Sequence, residues 1–142
     1  MPRDRVLAIL FLVVSAVLLA AMPGWRGGDP PPAYEMPVAE FLAWQRSVAA
    51  SGTESADVPV LAQRFGFTPA LELRAGHTYR LHLTTADVVH GAALAGREVL
   101  LTPGTVQVIT VTPHAGDILA LQCGEYCGIG HSRMRADIRV VD

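Results

Sequence analysis

The chain opens on an unbroken apolar run. Residues 6–22 (VLAILFLVVSAVLLAAM) hold no charge and one polar side chain, Ser15. As a helix this run reaches about 25 Å, the short end of what crosses a bilayer. Arg3 and Arg5 precede it and Trp25 follows, which predicts a cytoplasmic N-terminus and an aromatic at the far interface. A cleaved export signal has the same layout, with Ala20 and Ala21 as its small residues. The long apolar core and the poor cleavage pattern favour a retained anchor over residues 1–23. Either reading exports the rest of the chain.

The pattern then changes twice. Residues 24–37 (GWRGGDPPPAYEMP) are rich in Gly and Pro and read as a linker. Val38, Phe41, Leu42, Gln45, Val48 and Ala49 recur near helical spacing behind Pro37, which suits a helix start. A short amphipathic helix over 38–50 is expected, lying on the membrane or on a partner, or else forming a loosely packed arm. Residues 51–57 are small, polar and acidic, so the linker region with its helix spans 24–57. From Val58 onward the period falls to two. Leu71 to Leu73 and Tyr79 to Leu83 alternate, Val106 to Val111 is β-branched, and 118–121 and 138–141 are further short apolar runs. Gly, Pro or Asp separates most of them. Short strands at this spacing predict an all-β sandwich or barrel over 58–142.

Composition narrows the picture. Of 142 residues, 51% are apolar and 17% are charged, whereas soluble domains carry about 25% charge. That excludes a disordered chain. The net charge is −2, and all eleven basic residues are Arg. No basic field marks a nucleic-acid partner. Residues 58–142 hold seven Arg and seven Asp or Glu, so this domain is near neutral.

All five His and both Cys also fall there. Cys123, Cys127, His131 and Met134 lie within twelve positions, in CGEYCGIGHSRM. Soft sulfur donors with imidazole select copper, zinc or an iron–sulfur cluster. The thioether argues against zinc and for copper. Gly124, Gly128 and Gly130 let this loop wrap an ion. A further ligand has to come from elsewhere, and His90, after the strand from Tyr79, is the candidate. One copper needs one thiolate; a second thiolate suits two metals, each thiolate bridging both. The bare alternative is a disulfide between the two Cys. His77, His82 and His114 read as surface residues, and Asp87 as the residue that shapes the turn before His90.

With DVVHG upstream, CGEYCGIGHSRM resembles the binuclear copper (CuA) domain of cytochrome c oxidase subunit II. The family pattern is Cys-x-x-x-Cys-Gly-x-x-His-x-x-Met, plus a His in an Asp-Val-x-His element. The likeness extends through Phe65-Gly-Phe, residues 69–76 and 101–104, and so over most of 60–141. It looks nearest to the ba-type oxidases, whose subunit II has one membrane helix. The resemblance implies a cupredoxin-like Greek-key β-sandwich behind one N-terminal transmembrane helix. By position, Cys123 and Cys127 bridge two coppers and His90 and His131 bind one each. Met134 is then a weak ligand to the copper of His90, and the main-chain oxygen of Glu125 a weak ligand to the other. In many relatives the glutamate at position 125 also binds magnesium at the contact with subunit I; here a solvent- or interface-facing carboxylate is the plainer expectation.

The implied role is electron entry without catalysis. Single electrons pass from a periplasmic cytochrome c or similar donor to haem in oxidase subunit I. The chain is then held in the bacterial cytoplasmic membrane with its copper domain periplasmic. Both Trp precede Val58, so the surface Trp that some relatives use for electron entry has no counterpart. Ala92, Ala93, Tyr126 and Gly130 are the expected entry surface. Arg135 stands where relatives often carry an apolar residue. The rival functions are a copper subunit of another respiratory enzyme, a free-standing CuA protein, a mononuclear cupredoxin and a membrane-anchored copper chaperone.

Overall fold

The computed structural model describes residues 2–21, 32–51 and 55–142. Trp25 and most of the first linker lie outside the described residues. The chain divides into two compact units, Met1–Pro30 and Pro31–Asp142. The first holds helix α1 (Arg3–Ala21), whose residues are almost all exposed. Its run of Leu, Ala and Val contains no Gly or Pro to break a helix. Among the described residues it is the one helix long and apolar enough to cross a membrane.

The second unit is a two-sheet sandwich. Its strands are β1 (Ala33–Glu35), β2 (Asp57–Gln63), β3 (Gly66–Thr68), β4 (Leu71–Arg74), β5 (Tyr79–Thr85), β6 (His90–Leu94), β7 (Arg97–Leu101), β8 (Thr105–Val111), β9 (Leu119–Gln122) and β10 (Arg135–Val141). One sheet runs in the order β1-β8-β5-β2-β3 and the other β4-β10-β9-β6-β7. Each contains one parallel pair, β2 with β5 and β4 with β10, among antiparallel neighbours. This is the cupredoxin-like sandwich.

Alternation explains the core. Tyr79, Leu81 and Leu83 on β5 point inward with Val60 and Ala62 on β2 and Ile109 and Val111 on β8. They meet Leu94, Leu101, Leu121 and Ile138 from the other sheet.

The outer face of the first sheet is covered too. Helix α2 (Val38–Ser51) lays Phe41, 0% exposed, against Leu61 and Val106. Strand β1 extends this sheet by pairing with β8 from Ala33 to Glu35. Residues 33–51, which the sequence pattern assigned to a linker with one short helix, thus pack on the sandwich as a strand and a helix. The apolar stripe of α2 is spent on Leu61 and Val106, the outward-facing apolar positions of β2 and β8. His82, read as a surface residue, lies under this cover and is only partly exposed. The hydroxyl of Tyr34 lies 2.8 Å from its Nδ1, and its Nε2 lies 2.8 Å from Asp57. His77 and His114 are exposed, as expected.

Candidate metal centre

Strand register brings the ligand-bearing segments together. β9 and β10 are antiparallel neighbours, and the loop from Cys123 to Met134 joins them. β6 pairs with β9 at Ala93 and Gln122. Because those strands run oppositely, moving back three residues to His90 moves past Gln122 into the loop. The approach is tight: a Cβ on Gly91 would stand 2.8 Å from the backbone nitrogens of Gly124 and Glu125. Only glycine lets β6 and the loop come this close.

The loop closes on itself. Cys123 N–H donates to Met134 O at 3.0 Å, and a 3₁₀ turn over His131–Arg133 is held by His131 N–H to Gly128 O and Met134 N–H to His131 O, each 3.0 Å. Gly128 has φ +133°, where an L side chain is strained. These bonds turn Met134 inward, where it is fully buried. Arg135, next along, points outward and pairs with Asp137 at 2.8 Å.

The donor atoms converge. His90 Nδ1 lies 3.8 Å from Cys123 Sγ, and Cys123 Sγ lies 3.8 Å from Cys127 Sγ. Cys127 Sγ lies 3.9 Å from His131 Nδ1 and 3.6 Å from Met134 Sδ. The main-chain oxygen of Glu125 is 3.2 Å from Cys123 Sγ. The donor atoms of His90, Cys123 and Cys127 all lie within 4.8 Å of one another. All three residues are buried. The two cysteines are free thiols and not a disulfide. The side chain of Glu125 is exposed.

The electrostatics favour a cation. Burial pushes the Cys127 thiol up, and the neighbouring Cys123 pushes it further. Two buried thiols become thiolates at neutral pH most readily when a positive ion offsets their charge. Asp87 sits behind His90 and takes a hydrogen bond from its Nε2–H at 2.8 Å. That leaves Nδ1 with a lone pair facing Cys123, the tautomer a ligand needs. Burial alone would raise the Asp87 carboxyl. Backbone N–H groups of Arg64 and Val88, with the His90 ring and the Thr85 hydroxyl, outweigh it and hold it well below the usual carboxylate range. Asp87 therefore shapes its turn, as expected, and also orients the imidazole. A soft, closed set of two sulfurs, two imidazoles and a thioether fits copper.

Two of the four expected entry residues are not at the surface. Ala92 is 0% exposed because it shares the inward face of β6 with His90. Gly130 is buried beneath the ring of Phe65. Ala93 is partly exposed. Tyr126 is 77% exposed, with its ring centroid 5.8 Å from that of His131. The exposed apolar side chains on segments around the site are Phe65, Val89, Tyr126 and Ile129, the last at 95%. Ile129, an apolar residue between two glycines beside a ligand, was the signal for this surface.

No family model matches the chain. Cytochrome c oxidase subunit 2 of Thermus thermophilus is 32% identical over 98 residues, covering 67% of this chain and 73% of that protein. Among solved structures, the periplasmic domain of subunit II of cytochrome oxidase from Bradyrhizobium japonicum superposes with a TM-score of 0.54 at 20% identity, over 61% of this chain and 83% of that one. A chain of a heme-copper terminal oxidase dimer superposes with a TM-score of 0.52 at 24% identity, over 97% of this chain and 95% of that one. These two likenesses carry the fold.

Proposed function

The chain belongs to the cytochrome c oxidase subunit 2 family, and from that membership we propose that it is the electron-entry subunit of a haem–copper terminal oxidase. Cys123 and Cys127 would hold two copper ions through their thiolates, and His90 and His131 would each supply an imidazole to one of them. Met134 would be a weaker ligand on the side of His90, and the Glu125 main-chain oxygen on the other. Bound there, the copper pair supplies a one-electron relay in which both ions share the charge.

The observation that carries this reading is the mutual approach of one imidazole and two thiols within 4.8 Å. Residues of one loop and one distant strand do not gather two buried thiols around a buried imidazole for packing alone. A mononuclear blue-copper set uses one thiolate, so the second thiol supports a reading with two copper ions. A donor set closed by the thioether and the carbonyl leaves no place for a substrate. The protein's part is to bind, to hold the donors still and to keep water away, which suits electron transfer.

Helix α1 anchors the chain in the bacterial cytoplasmic membrane with its N-terminus cytoplasmic, and the sandwich is periplasmic. A periplasmic cytochrome c or similar donor docks over Tyr126, Ile129, Phe65 and Val89. The electron then leaves toward haem in subunit I. The exposed Glu125 carboxylate is read as an interface- or solvent-facing group and not as a magnesium ligand. A copper chaperone of thioredoxin type places its Cys pair at a strand-to-helix turn; here the pair follows β9 of a sandwich, and a single 3₁₀ turn and then strand β10 come next, which weighs against that rival.

The test is to isolate the full chain from its own membrane by an affinity tag. A haem-bearing membrane subunit should accompany it, and reduced cytochrome c should bleach its visible copper absorption. Cys123→Ser should abolish that absorption. A chain that comes away alone, and takes no electrons from any cytochrome offered, contradicts the proposal.

A further inference from the structure

Two residues outside the donor set touch both halves of the site, and they are neighbours in the turn between β2 and β3. Arg64 gives Asp87 two hydrogen bonds, from its backbone N–H at 2.9 Å and its guanidinium Nε at 3.3 Å. Asp87 takes the Nε2 proton of His90 at 2.8 Å. The next residue, Phe65, lies on the other half. A Cβ built on Gly128 would meet its ring at 3.1 Å, and one on Gly130 would overlap it. Gly130 directly precedes His131. One dipeptide thus reaches the His90 segment with its first residue and the His131 segment with its second.

We propose that the Arg64–Phe65 turn is a positioning device for the metal centre, with Arg64 orienting His90 through Asp87 and Phe65 fixing the backbone from Gly128 to Gly130. The inference rests on the reading of the site as a copper centre. A loop this rich in glycine has backbone freedom to lose, and an aromatic ring lying on it removes much of that freedom before any ion binds. Carboxylates behind a ligating imidazole fix its tautomer and ring angle. Arg64 in turn fixes the carboxylate. The Arg64–Asp87 pair is partly exposed, so it adds little to global stability. Its effect is on orientation and on local charge. Removing the cation beside Asp87 makes His90 a stronger donor, which favours the oxidised site and lowers the midpoint potential.

The test uses the full chain in detergent, loaded with copper alone, with R64A, R64K, F65A, F65L and R64A/F65A beside it. R64A should lower the midpoint potential and alter the copper hyperfine pattern, and R64K should recover both. F65A should speed copper loss to a chelator about 10–100-fold, the range in which outer residues tune metal affinity, and F65L should recover most of it. Amide exchange at residues 128–131 of the copper-free chain should quicken in F65A. The double variant should fall short of the sum of the singles, as for residues acting as one unit. Variants that match a copper-loaded wild type in potential, spectrum and release rate overturn this proposal and leave the copper reading standing. A wild-type chain that binds no copper overturns both.

Discussion

Asp57 is an aspartate outside the metal centre whose protonation the fold controls. It lies on the outer face of β2, where Arg80 makes two hydrogen bonds to its carboxylate and His82 Nε2 a third. Those bonds, Arg80 first, bring its carboxyl down to about 2 against a small opposing effect of burial. An unfolded aspartate titrates near 3.9. A carboxyl depressed by folding stabilises the fold above its unfolded value, and that contribution is lost as the pH falls through the folded one. The copper-free chain should therefore lose stability between about pH 4 and pH 2, and Asp57→Asn should flatten that limb. Urea midpoints across this window check it; an equal slope in both proteins counts against it. The ligand residues were legible at this scale because four of them crowd into one loop at a spacing no packing pattern requires. Arg64 was not, since its contact with Asp87 spans 23 positions and follows from no local rule. Ala92 is buried and not an entry residue because it lies two along β6 from the inward-facing His90, and the sequence does not mark that segment as a strand.

At the scale of elements, α2 and β1 carry the main lesson. The helical spacing from Val38 to Ala49 predicted α2, but nothing local says which surface receives its stripe. That surface is the outer face of the first sheet, whose apolar positions, Leu61 and Val106, belong to strands far away in sequence. Strand β1 is not legible in the sequence, because three residues after a run of prolines carry no periodicity. Nor is strand β6, because Gly91, Ala92 and Ala93 have little strand propensity, and its place comes from pairing with β7. Phe41 is the anchor of α2, so Phe41→Ala should cost about 3–5 kcal/mol, the range for truncating a buried aromatic. Hydrogen exchange should open α2 and β1 before β5 or β8. Uniform loss of protection across the sandwich would show that α2 is no separable layer.

For the whole molecule, the surplus of apolar residues resolves into two parts, α1 and a sandwich of ordinary core. The domain from Val58 onward balances seven Arg against seven acidic residues, and around the site the exposed apolar side chains Phe65, Val89, Tyr126 and Ile129 stand beside charges of both signs, Arg64 and Glu125. Such a surface steers a charged donor weakly. The bimolecular rate of electron uptake should change by about twofold or less between low and physiological salt, where strongly steered pairs slow far more. A steep decline would mean that charged residues, and not Tyr126 and Ile129, form the docking face.

The central claim is that two thiols, two imidazoles and one thioether hold a pair of copper ions. Copper should be counted per full-length chain after loading, and the electron paramagnetic resonance spectrum recorded on the same sample. Two coppers per chain with a seven-line pattern, one unpaired electron spread over both nuclei, is the predicted result. One copper with a four-line pattern contradicts it.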